Sequence, residues 1–165
     1  DLNAYLAARG GRVKSLADVI DFNDRNRDRE MPYFGQEIML QAEAKGSIES
    51  RAYRDLVSHL NRMAKHDGID AAMHKHSLDA LVAPTGGIAW PIDYAHGDRD
   101  VGGCSTPPAV AGYPHVTVPA GFVSGLPVGI SFFGSPRTEV KLIRFAYAFE
   151  QASMARRPPE FKPGI

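Results

Sequence analysis

Val128-Gly129-Ile130-Ser131-Phe132-Phe133 is the run on which the fold turns. It is short, rich in β-branched and aromatic residues, and bounded by Pro127 and Gly134, which is the pattern of a strand. Two comparable runs lie upstream: Val116-Thr117-Val118, closed by Pro119, and Leu78 to Ala83, ended by Pro84. Three candidate strands result. Between the first and second lies Thr85 to Pro114, rich in glycine and proline and too long for a plain connection. That segment is expected to be a functional loop, or partly helical near Pro108 to Ala111. Downstream of the last strand, Val140, Ile143 and Tyr147, with Leu142, Phe145 and Phe149, predict an amphipathic closing helix that stops near Arg156-Arg157-Pro158.

The half of the chain before these strands reads as mainly helical. Asp1 to Arg9 opens amphipathically, and Ser15 caps a helix whose apolar positions Leu16, Val19, Ile20 and Phe22 recur at helical spacing. Pro32 and Gly35 punctuate the chain before Glu37 to Lys45. A longer helical stretch runs from about Glu49 to His76, with Tyr53, Leu56, Val57, Leu60, Met63 and Ala64 on one side and Gly68 as a point of interruption. The class is therefore α/β: a helical first half, residues 1–77, then a partial mixed sheet with a glycine- and proline-rich loop and a closing helix, residues 78–165. Three short strands expose unpaired edges and need a cover. One incomplete domain is the expectation, with self-association into a homo-oligomer through the uncovered edge. The chain also opens directly on a helix, without an initiator methionine or a signal sequence, as a chain beginning mid-protein would.

Among 165 residues, 44% are hydrophobic, enough for a sizeable core. With 19 basic and 19 acidic residues there is no electrostatic footprint for nucleic acid, and no apolar run has the length of a membrane span. Neither partner is expected. The single cysteine, Cys104, excludes an intramolecular disulfide framework and is compatible with a reducing compartment, so the cytoplasm is the default expectation.

Several constellations invite chemistry. His59, His66, Asp70 and His74 recur at spacings that could share one helix face, but Lys65 and Lys75 flank them and no second cluster completes a ligand set. A solvated face is the preferred reading, and no metal is expected. Asp24 to Glu30 alternates in sign, as a solvated connection does. Pro158-Pro159 and Pro163 read as a tail packed against the domain. Gly102-Gly103-Cys104-Ser105-Thr106-Pro107 suggests a nucleophile turn at first, yet Pro107 stands where a second glycine would be needed and no triad order follows. A capped helix start is preferred, with backbone donors facing a substrate carbonyl or anion. Cys104, with no histidine or lysine adjoining it in sequence, is expected to be structural or pocket-lining and slow to alkylate.

Taken together, four segments resemble the amidase-signature family, in the branch that includes peptide amidases: Leu78 to Thr85 with Gly86, Trp90 and Pro91; Gly102 to Pro107 continuing through Ala111-Gly112-Tyr113-Pro114; Val116 to Gly121; and Gly125 to Gly134. Tyr147 to Gln151 is similar to that family's closing helix, and Met31 to Glu37 to its helical connecting region. The resemblance implies the C-terminal portion of the amidase-signature fold. It further implies an enzyme that cleaves linear carbon-nitrogen amide bonds through a serine acyl-enzyme, without metal or organic cofactor, on a small amide substrate. The family's nucleophilic serine, bridging serine and lysine have no counterparts here: the sequence holds no adjacent pair of serines and no Lys-Asp step. No catalytic residue is therefore assigned, and the isolated chain is expected to be inactive. By the same resemblance, Trp90, Cys104, Ser105 and Thr106 are the candidate substrate-binding residues. Two alternatives stand beside it: a non-catalytic ligand-binding or interaction domain, and a thiol hydrolase using Cys104.

Overall fold

A computed structural model describes residues 2–99 and 101–160. Asp1 of the expected opening helix and Pro163 of the tail lie outside them. By backbone proximity the chain divides into two compact units, one of residues 1–50 and 92–98 and the other of residues 51–91 and 99–165.

The first unit is helical: α1 (Leu2–Ala8), α2 (Leu16–Arg25), α3 (Arg27–Glu30) and α4 (Glu37–Glu43). Ser15 caps α2 as its sequence context predicts. Its Oγ accepts from the Asp18 backbone N–H at 3.1 Å, and Asp18 Oδ2 accepts in return from Ser15 N–H at 3.1 Å and Lys14 N–H at 2.7 Å. These donors, the Lys14 backbone first, hold the Asp18 carboxyl below the usual carboxylate range. Gln36 is buried at the entry to α4. Its Nε2 donates to Ile20 O at 3.2 Å and Asp24 Oδ1 at 3.0 Å, while its Oε1 accepts from Asn23 Nδ2 at 3.1 Å. One side chain thus ties the entry of α4 to the second half of α2. Tyr94, from the returning segment, stacks on Tyr33 with ring centroids 4.1 Å apart.

The second unit is a sheet between two helical layers. It opens with α5 (Arg51–Ala64), a π-helical stretch (Lys65–Asp70) and α6 (Ala71–Lys75), which together occupy the single helix expected from Glu49 to His76. Gly68 lies within the π-helical stretch and packs against Met63 O, so close an approach that a β-carbon would collide. The expected interruption is therefore a widened turn and not a break. Strands β1 (Leu81–Pro84), β2 (His115–Val123) and β3 (Leu126–Phe133) form one sheet in the order β1-β3-β2, and the short α7 (Thr106–Ala111) lies in the long loop. α8 (Glu139–Ser153) closes the unit.

The sheet was expected to be mixed, but among the described residues both pairings are antiparallel. The physical reason is local. Ser124 and Gly125, at φ 50° and 80°, make a two-residue turn with both centres left-handed, and such a turn joins neighbouring strands only in opposite directions. β1 then adds to the free side of β3, pairing Ala83 with Ser131.

Alternation along β3 divides the core. Phe133 faces Ile69, Met73 and Ala111, with Leu81, Ala83, Cys104 and Tyr113 around them. Phe132 faces Leu142 and Ala146 of α8, with Val116, Val118, Ile130 and Phe149. In contrast, Tyr53, Leu56, Val57, Leu60 and Met63 of α5 remain exposed.

Tyr113, just past α7, donates its hydroxyl hydrogen to Asp70 Oδ2 at 2.8 Å and pins α7 to the π-helical stretch. Burial, then the hydrogen bond and negative charge of Asp70, raise the Tyr113 hydroxyl above its ordinary 10.0. A raised folded-state value means that this contribution is complete below pH 10.0 and is lost as pH rises through the elevated value. Tyr113→Phe should lower stability by about 1 kcal/mol at pH 8. Urea unfolding at pH 8 and pH 11 should show the gap between wild type and variant closing at the higher pH; a gap that widens would contradict the assignment.

Candidate functional site

The long loop leaves the sheet and returns to it at one place. Thr85 follows β1 and keeps the ladder for one more rung, its N–H donating to Gly129 O at 2.9 Å. Gly86 then bridges Gly103 in antiparallel fashion, and Cys104 N–H donates to Thr85 O at 3.2 Å. The two ends of a segment of some twenty residues are thereby laced together. Gly103 is required there, because a β-carbon would stand 2.7 Å from Thr85 O, inside contact distance.

This junction gathers three of the four sequence candidates. Cys104 is half-buried against the sheet, while Ser105 and Thr106 are exposed at the start of α7. Trp90 is exposed on the outgoing arm of the loop, 38% accessible, which suits a surface aromatic as readily as a lining one. The helix start is not capped in the expected way. Ser105 occupies the N-cap position, but in helical conformation and without a side-chain hydrogen bond. Pro107 and Pro108 explain this, since neither carries an N–H and little is left for a cap to satisfy. The same prolines leave Ser105 and Thr106 as the residues at this helix start that carry a backbone N–H.

Two features of the junction were invisible in sequence. His115, at the start of β2, brings Nε2 to 3.6 Å from Cys104 Sγ, although eleven positions separate them along the chain. Its ring also lies against Phe133, with centroids 5.9 Å apart. The second feature is a chain of hydroxyls: Ser131 Oγ lies 2.8 Å from Thr85 Oγ1 and 2.9 Å from Thr117 Oγ1. Ser131 was legible only as a polar residue inside an apolar strand, a signal of a buried partner but not of which one.

The histidine array behaves as a solvated face. His66 Nδ1 lies 2.9 Å from Asp67 Oδ1, both exposed, and Asp70 is engaged by Tyr113. Among the described residues no group of three or more histidine, cysteine, aspartate or glutamate side chains is placed to hold a metal ion. No described helix is long and apolar enough to cross a membrane. In the first unit Asp93 accepts from the backbone N–H groups of His96 and Ala95 and from the His96 ring. Those hydrogen bonds, the His96 backbone first, hold its carboxyl below the usual range.

Comparison with known proteins places this geometry. A probable amidase of Arabidopsis thaliana is 36% identical over 97% of this chain, which spans 28% of that protein. The crystal structure of a peptide amidase in complex with the competitive inhibitor chymostatin superposes at a TM-score of 0.92 with 47% identity, covering 97% of this chain and 33% of that one. Native peptide amidase from Stenotrophomonas maltophilia gives 0.88 and 45%, over 97% and 32% of the two chains. The chain thus spans about a third or less of the relatives it matches. The model of the amidase family matches residues 2–143, and this chain belongs to that family.

Proposed function

We propose that this chain is the C-terminal portion of a serine-dependent amidase that hydrolyses linear amides to a carboxylic acid and an amine or ammonia. The observation that carries the reading is the superposition of nearly the whole chain on a peptide amidase, at a TM-score of 0.92 and 47% identity. In this reading a serine outside these residues attacks the amide carbonyl, activated by a second serine and a lysine. The amine leaves with a proton, and water then hydrolyses the acyl-enzyme. The chain described here supplies sheet, helical support and part of the cleft wall. Trp90, Cys104, Ser105 and Thr106 are the lining residues, with the Ser105 and Thr106 N–H groups as donors to substrate. The open edges of the sheet, with the exposed apolar stripe of α5 beside them in the same unit, are the surfaces through which the isolated chain self-associates.

The 3.6 Å approach of His115 to Cys104 favours a second reading, a thiol hydrolase. Against it, among the described residues no acidic side chain meets the far ring nitrogen to orient the imidazole for base catalysis. One experiment separates the two. The longer protein is treated with a fluorophosphonate probe, the labelled residue is mapped by mass spectrometry, and turnover of short peptide amides is followed. Labelling at a serine upstream of residue 1, with turnover retained in Cys104→Ala, is the expected result. Loss of both in Cys104→Ala would replace the serine reading with the thiol one.

A further inference from the structure

Ser131 is a polar side chain in an otherwise apolar strand, and it is fully buried, at 0% accessibility. β3 is the central strand, laddered on both sides, so Ser131 is among the most firmly placed residues of the sheet. Its hydroxyl does not serve a neighbour on its own strand. It meets Thr85 Oγ1 at 2.8 Å, where the β1 side of the sheet gives way to the loop, and Thr117 Oγ1 at 2.9 Å on β2. Thr85 is held at three points. Its N–H reaches Gly129 O, its hydroxyl reaches Ser131, and its carbonyl receives Cys104 N–H at 3.2 Å with Cys104 Sγ at 3.8 Å. Thr85 is therefore the link through which the rigid sheet locates the returning arm of the loop.

We propose that Ser131 is a positioning residue for substrate binding: through Thr85 it sets the placement of Cys104, Ser105 and Thr106. This rests on the reading above that these three line the substrate cleft. A fully buried hydroxyl joined to two others is costly to leave unpaired, so the bond to Thr85 is kept made. With it made, the Thr85 carbonyl cannot turn away from Cys104. Removing the Ser131 hydroxyl leaves Thr85 anchored by a single backbone rung at the end of an edge strand, where pairing is weakest. The Ser105 and Thr106 donors then lose their fixed distance from a bound carbonyl. Substrate affinity is affected before chemistry, because the nucleophile in this reading sits elsewhere.

The test uses the longer protein and four variants: Ser131→Ala, Thr85→Val, which keeps shape but removes the hydroxyl, Thr85→Ser, which keeps the hydroxyl, and Thr106→Ala. Steady-state kinetics on a short peptide amide are read beside the rate of fluorophosphonate labelling, which reports the nucleophile without the cleft wall. Ser131→Ala and Thr85→Val should raise KM about tenfold, as loss of one well-made hydrogen bond does. Their kcat and labelling rate should stay within about twofold of wild type, and Thr85→Ser should behave as wild type. The proposal is overturned if kcat and labelling fall as much as KM rises, or if Thr85→Ser is as impaired as Thr85→Val, since either marks a merely structural role. It is also overturned if Thr106→Ala raises KM while Ser131→Ala does not, in which case the cleft reading survives. An unchanged KM in every variant overturns the positioning role and takes the Thr106 side chain out of the cleft wall, leaving only its backbone N–H, which Thr106→Ala keeps, as a donor to substrate.

Discussion

The 165-residue chain assayed alone is expected to hydrolyse short peptide amides no faster than buffer, while the longer protein turns them over. The difference should be on the order of a millionfold, the usual cost of losing the acting nucleophile and its base. The expectation follows from which groups this chain can bring to a carbonyl. Cys104 has His115 beside it at 3.6 Å, but among the described residues that ring lies against Phe133 and meets no acid. Ser105 stands exposed at the start of α7, where its side chain makes no capping bond. Pro107 and Pro108 subtract two N–H groups from the turn that would otherwise form an oxyanion site. None of these supplies an activated nucleophile facing fixed donors. Side-by-side assays of both proteins check this. Robust turnover by the chain alone, abolished by Cys104→Ala or Ser105→Ala, would place a complete catalytic site within these residues and end the serine reading.

Legibility in the sequence tracked the range of the interactions involved. The cap at Ser15 was readable because both partners of its box lie within four positions. The three strands were readable from runs of β-branched and aromatic residues between glycine and proline, and α7 from the prolines at its start. The direction of pairing was a different matter. It depends on Ser124 and Gly125 both taking left-handed conformations, and a turn of two residues weighs little beside a run of eight. The same limit applied to the site. Gly103, Cys104, Ser105 and Thr106 stood out as a glycine-rich approach to a helix, and the fold does bring that segment to the end of β1. His115 and Ser131 did not stand out, because their partners are set by the sheet's register and are 11 and 46 positions away. A histidine next to a strand and a serine within one are ordinary until the register is known. The comparison with peptide amidases then gives that register a functional context without adding a side chain to it.

Leu142→Ala is expected to destabilise the chain by about 3 kcal/mol, whereas Ile143→Ala, one residue further on, should change it by less than about 0.5 kcal/mol. The contrast isolates something that the sequence of α8 does not decide. Val140, Ile143 and Tyr147 recur at helical spacing, and so do Leu142, Ala146 and Phe149. Each set forms an apolar stripe, and either could cover a sheet. The structure chooses the second. Leu142 is fully buried, at 0% accessibility, against Phe132, whereas Val140, Ile143 and Tyr147 are exposed. Phe149 meets Phe132 with ring centroids 6.1 Å apart, and Val116, Val118 and Ile130 complete the contact. Truncating Leu142 therefore loses the transfer free energy of its side chain and leaves a cavity between a helix and a sheet, neither of which can collapse freely. Ile143 offers no cavity to make. Urea unfolding of the two variants, with slopes compared to confirm equal exposure on unfolding, reads the difference directly. Equal losses at both positions, or a larger loss at Ile143, would mean that α8 is turned about its axis relative to this description. The partition of the core between Phe132 and Phe133 would then have to be redrawn.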